Sequence, residues 1–141
     1  MNMSWGQSVR QFVALNRRVR TDLVKGMDKI TVRTGNHLKQ RAQVNNPVDT
    51  GFSKRSWAIS EKRQGLMKHV SVFNTATTAK NPRNKNIKGI LPGIYYLPWV
   101  EYGTKSMAPR RFFLKSINQA TRYQNKLTDE YFKKIARKYN V

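Results

Sequence analysis

Ser56-Trp57-Ala58-Ile59-Ser60 and His69-Val70-Ser71-Val72-Phe73, with Gln64-Gly65 between them, decide the fold class of this 141-residue chain. Both stretches alternate apolar and polar residues, the period of a strand covered on one face. Gln64-Gly65 supplies the turn, because glycine enters the left-handed backbone region at no steric cost. A β-hairpin over 56–73 follows. The longest periodic segments on either side of it are helical, so the expected class is α+β: long N-terminal and C-terminal helices packed on a small, mostly antiparallel sheet.

Upstream, Val9, Phe12, Val13, Val19, Leu23, Met27, Ile30, Leu38 and Ala42 recur mostly at steps of three and four or their sums, which predicts an amphipathic helix over 8–42. Its other faces carry Arg10, Arg17, Arg18, Arg20, Lys25, Lys29, Arg33, Lys39 and Arg41. Asp22 and Asp28 stand within a turn of Lys25 and Lys29, where ion pairs inside the helix are expected. Gly26 and Gly35 each cost about 1 kcal/mol relative to alanine in a helix, and Ile30-Thr31-Val32 is β-branched, so a bend or break between the two glycines is anticipated. Asn45-Asn46-Pro47 ends the helix.

Downstream of the hairpin, 74–93 reads as a long basic loop in which Lys80, Arg83, Lys85 and Lys88 are interleaved with asparagines. The run 94–102, Ile94 to Tyr102, reads as an aromatic strand, or a short helix feeding a strand, with Pro98 confined to an edge or bend. Phe113, Ile117, Ala120, Leu127, Tyr131, Ile135 and Tyr139 then predict a helix over 109–139, with Pro109 at its first position and Lys133, Lys134, Arg137 and Lys138 near its C-terminal dipole. Length and composition fit one domain, 1–141.

The formal charge of +21 exceeds what an ordinary solvated surface requires and points to acidic partners. The basic residues are spread along the chain, which favours a basic surface on a folded body over a charged tail. Without cysteine there are no disulfides, thiolate metal sites or cysteine nucleophiles. The stretch Gly89 to Val100 is uncharged but too short to span a membrane, and the N-terminus lacks an apolar signal region, so the chain is expected to be cytosolic where it is made.

Catalytic groups are sparse. His37 and His69 belong to no metal-binding spacing and are expected at surface or hairpin positions. Asp49 and Glu101 are the two acids placed at turns, and together they would be the minimum for a metal-dependent nuclease, although such centres usually gather more acids than this. In Pro47-Val48-Asp49-Thr50-Gly51 the proline sets φ, the aspartate can accept backbone N–H groups two residues on, and Gly51 can take a positive φ, so a rigid corner needs no substrate to explain it. Glu101, flanked by Val100 and Tyr102, is expected to meet Arg110 or Arg111. The aromatics around it fit either a core or the centre of a subunit contact. Charge alone also supports a sequence-nonspecific nucleic-acid-binding module, with no motif for base reading.

Three linked blocks carry a resemblance: Pro47-Val48-Asp49-Thr50-Gly51 leading to Lys54-Arg55-Ser56-Trp57, then Tyr96-Leu97-Pro98-Trp99-Val100-Glu101-Tyr102-Gly103-Thr104, then Ala108-Pro109-Arg110-Arg111-Phe112-Phe113. In order and relative spacing this set resembles the tailed-phage neck and tail-completion proteins, the family named after gene product ten of a lambdoid coliphage. Ser53 stands where that pattern usually has a hydrophobic residue. The resemblance implies a non-enzymatic virion part at the head-tail junction, made in the host cytoplasm, with no cofactor, metal, membrane or small-molecule substrate. It implies a homo-oligomeric ring, on the order of six or twelve copies, between connector or head-completion proteins and the tail terminator or tail tube. Asp49, Trp99, Glu101, Tyr102, Arg110, Arg111 and Phe112 are then the expected assembly residues, and Lys80, Arg83, Lys85 and Lys88 the expected contacts to packaged DNA or an acidic partner.

Overall fold

Two long helices lie antiparallel, and four contacts record their register. In the computed structural model, which describes residues 5–47, 52–76 and 97–140, helix α1 runs from Trp5 to Asn45 and helix α4 from Phe112 to Tyr139. Asn45 Nδ2 donates to Ser116 Oγ at 2.9 Å and to Gln119 Oε1 at 3.0 Å. His37 stacks on Tyr123 with ring centroids 4.2 Å apart. Gly26 faces the Tyr131 ring. Asp22 meets Lys138 and Tyr139. The inner stripe of α4, from Phe112 through Ser116 and Ala120, is where its side chains are buried.

Between the long helices come a one-turn helix α2, Phe52–Arg55, and the hairpin β1, Trp57–Gln64, with β2, Met67–Asn74, followed by a short helix α3, Leu97–Tyr102. The strands pair antiparallel with Ile59 opposite Val72 and Gln64 opposite Met67, so Gly65-Leu66 forms the turn, with Gly65 at φ +60°. Each strand is longer at the turn end than the alternation alone suggested. Ile59 and Val70 face α1 at Gly35, where a Cβ would overlap Val70.

α1 does not break. Gly26 and Gly35, the expected weak points, are buried, and each lets a neighbouring element approach the helix backbone. The helix interior accepts two glycines because a close contact replaces the entropy they cost. The aspartates also look outward from α1: Asp28 pairs with Arg63 of β1 and Asp22 with Lys138 of α4, in place of pairs to Lys25 and Lys29.

The core is small and lies where the C-terminal end of α1 meets the hairpin base and both shorter segments. Ala42, Trp57, Leu97 and Phe112 form it, with Val72, Val100 and Phe113 packed against them. Trp57 stacks on Phe113 at 5.2 Å and meets Phe112 edge-on at 6.5 Å, both favoured aromatic geometries. A buried polar cluster adjoins it: Asn46 and Ser53 bond through their side chains at 2.7 Å, and Asn74 Nδ2 donates to the Ser53 carbonyl at 2.7 Å. An Asn46 amide turned with Oδ1 toward Trp57 also satisfies the indole N–H. The Ser53 hydroxyl thus gives the buried Asn46 side chain a partner just past the end of α1, while its backbone carbonyl holds Asn74 of β2.

Candidate assembly site

Val100 to Phe113 forms a corner that folds back on itself. Leu97 to Tyr102 is a helix, the second of the two forms expected for 94–102 and not the strand, while 94–96 lie outside the described residues; Leu97 and Glu101 share its buried side at a four-residue spacing, and Pro98 sits in the first turn, where no N–H is needed. Gly103 follows at φ +80°, with its N–H donating to Trp99 O. A Cβ there would stand 2.6 Å from the Met107 carbonyl oxygen, so the position requires glycine. Thr104 and Met107 exchange backbone hydrogen bonds and turn the chain around Lys105 and Ser106.

The returning segment brings Arg110 N–H to Val100 O and Arg111 N–H to Glu101 O. These arginines therefore meet the Glu101 segment through backbone, with both side chains exposed. Their use in this way delays α4, which begins at Phe112 and not at Pro109. Arg111 holds the N-cap position at φ 46°, a left-handed conformation costing a non-glycine residue roughly 1 kcal/mol, and makes no side-chain cap.

Glu101 supplies the cap. Its carboxylate accepts the Phe113 N–H at 2.9 Å through Oε2 and the Leu114 N–H at 2.9 Å through Oε1. These are among the donors that an α-helix leaves without internal partners, and a negative charge there also opposes the helix dipole favourably. Glu101 is 8% exposed, and no described arginine pairs with it. The expected ion pair with Arg110 or Arg111 is thus replaced by a long-range helix cap. Alternation along a supposed strand hid this, since capping across a turn leaves no fixed sequence spacing.

Around this frame the aromatics divide. Phe112 is buried in the core, while Trp99 is 47% and Tyr102 80% exposed. Beside them Trp57, Phe73, Leu97, Pro98, Tyr102 and Phe113 line an apolar cleft of about 450 Å³. Asp49 and the four cations Lys80, Arg83, Lys85 and Lys88 lie outside the described residues.

A second apolar surface was not singled out from the sequence. α4 ends opposite Asp22, so the first four turns of α1 run past it, and Trp5, Val9, Phe12, Val13 and Leu15 are all exposed, Trp5 by 85% and Phe12 by 66%. Their three- and four-residue spacing was legible; that α4 would be too short to cover them was not. Residues 12 and 42 are about 45 Å apart along the helix, so arm and cleft sit at opposite ends of α1.

Among the described residues no group of three or more His, Asp or Glu side chains converges on a point, and no helix is long and apolar enough to cross a membrane. His37 is an interhelical contact in place of a surface or hairpin position. Burial, and then the charge of Arg41, hold its pKa below the ordinary imidazole value. No protein-family model, curated protein or solved structure matches this chain.

Proposed function

We propose that this protein is a structural subunit of a phage head-tail connector, forming a ring that joins the head-completion stack to the tail. One observation carries the reading: the chain has two different exposed apolar surfaces, the Trp5–Leu15 arm and the cleft that Tyr102 lines, with Trp99 exposed on the same short helix, at opposite ends of α1. A twofold dimer uses one patch against itself, whereas a ring needs two unlike patches that fit each other or a neighbouring ring. The capped corner supports the same reading, because it holds Trp99 and Tyr102 outward on a fixed backbone, and aromatic anchors on rigid frames suit subunit contacts. The order of the Val100–Thr104 and Ala108–Phe113 blocks adds the family resemblance.

Light scattering and native mass spectrometry at several protein and salt concentrations test the proposal, with salt included because a charge of +21 opposes self-association. The expected result is a closed species of discrete mass, alone or with the connector. Phe12→Ser and the pair Trp99→Ala/Tyr102→Ala should each abolish it while leaving helicity unchanged. A strict monomer in all conditions, with and without connector, would reject it.

A further inference from the structure

Arg17, Arg20, Thr21, Val24, Lys25 and Asp28 follow one another at helical spacings and form a single stripe on α1. The stripe floors a groove of about 490 Å³ whose facing wall is Arg63 and Leu66 at the end of the hairpin. A second recess of about 430 Å³ shares Arg17 and Thr21 and is walled by Lys138 and Tyr139 of α4. Six cations from three elements, Arg17, Arg18, Arg20, Lys25, Arg63 and Lys138, thus converge around two acids, Asp22 and Asp28. Each acid holds one cation in place, Asp28 with Arg63 and Asp22 with Lys138. Four cations are left without a carboxylate among these pairs.

The shape selects a long polyanion over a small one. From residue 17 to residue 28 the stripe covers about 16 Å, which matches about five phosphates of one strand measured along the duplex axis. A lone phosphate would engage only part of it. Among the described residues no open stacking surface lies on this face: the aromatic that lines the recesses, Tyr139, donates its hydroxyl to Asp22 and has Lys138 Nζ 5.3 Å over its ring. Single-strand binders rely on open aromatic faces, so the groove suits a backbone whose bases stay paired.

We propose that this groove is a sequence-independent binding site for the phosphate backbone of double-stranded nucleic acid, gripped by Arg17, Arg20, Lys25 and Arg63. It is built from residues of a single chain and does not depend on ring formation.

The test compares two triple variants of equal charge in the full chain, Arg17→Ser/Arg20→Ser/Arg63→Ser and Lys115→Ser/Lys126→Ser/Lys133→Ser. The second set is exposed on α4 away from the groove. Each is titrated against a fluorescein-labelled random duplex of about 20 base pairs over a range of salt, with a single strand of the same length alongside. The groove variant should bind at least tenfold more weakly near physiological salt, with its logarithmic salt slope reduced by about two to three, while the α4 variant changes by less than threefold. Equal weakening in both would show diffuse attraction and overturn the site, as would no weakening in either, or tighter binding of the single strand. Circular dichroism melting checks the fold. If loss of the Arg63 pair lowers the melting point, Arg17→Ser/Arg20→Ser is read instead, with at least a fivefold loss expected and none counting against the site. Light scattering on the same samples reports assembly separately.

Discussion

Glu101 and Phe113 are joined by a hydrogen bond from the Phe113 N–H to a carboxylate oxygen at 2.9 Å, and with the neighbouring Leu114 N–H this makes a residue of α3 the cap of α4. The bond crosses the Gly103–Arg111 turn, so it fixes the angle between the corner and the long helix. Glu101→Ala should therefore cost stability before it affects assembly, by about 1–2 kcal/mol. Glu101→Gln retains one acceptor oxygen without the charge and should lose less, about 1 kcal/mol. Urea unfolding of the two variants measures the difference; equal stability of Glu101→Ala and the parent would remove the capping role.

The glycines separate packing from propensity. Gly6 lies in the first turn of the exposed arm with nothing within 4 Å of a Cβ, so Gly6→Ala should raise helix stability through alanine's propensity, about 1 kcal/mol in a helix interior and less at this end. Gly26→Ala gains the same intrinsic term but drives a methyl into the Tyr131 ring, and Gly35→Ala drives one into Val70. Both should destabilise, by about 1–3 kcal/mol, the usual cost of overpacking. Thermal melts of the three variants check the order. Stabilisation by Gly26→Ala would show that the helices separate easily at this level.

How far the sequence disclosed this arrangement follows from the range of each interaction. The hairpin and both long helices were legible because alternation and helical spacing are local signals, and the fold class is as expected. Gly26 and Gly35 were misread as a weak stretch because the reason for them, close approach of Tyr131 and Val70, comes from distant parts of the chain. The aromatic segment read first as a strand, with a short helix as the other form, and composition could not choose; the helix places Leu97 and Glu101 on one buried face. Glu101 itself was picked out as an acid at a turn, which was informative, while its partners proved to be backbone N–H groups that no residue type announces. The groove at Arg17 to Asp28 was hidden for the same reason: its stripe is visible in sequence, but Arg63 and Lys138 arrive through tertiary structure.

Thr34 is a site where stability can be gained. Its Oγ1 is buried and has no hydrogen-bond partner among the described residues. Thr34→Val removes the unsatisfied hydroxyl at nearly constant volume and helix propensity, so the variant should be about 1 kcal/mol more stable. A loss of stability on chemical denaturation would show that the hydroxyl is in fact satisfied in solution.

Acid should loosen the pairing of α1 with α4 in two stages. His37 is held neutral by burial and by Arg41, so its pKa lies below the ordinary value of about 6.5 in the folded chain. A depressed folded pKa means that the unfolded chain takes up the proton first, so stability falls as pH drops below about 6.5 and through the lowered folded value. Asp22 titrates further down: hydrogen bonds from Lys138 and then Tyr139 hold its carboxyl below the usual range. Its contribution is present above about 3.9 and is lost as pH falls through its own lowered value. Lys138 shifts upward through its bond to Asp22, so its part of the clamp is complete below about 10.4 and disappears only as pH rises through the raised folded value. Unfolding measured from pH 8 down to pH 3 should show both acid limbs in the parent. His37→Gln should flatten the upper limb alone and Asp22→Asn the lower one alone. A parent curve that stays level from pH 7 to pH 5 would mean that the His37–Tyr123 stack does not restrain protonation and that the helices are held together elsewhere.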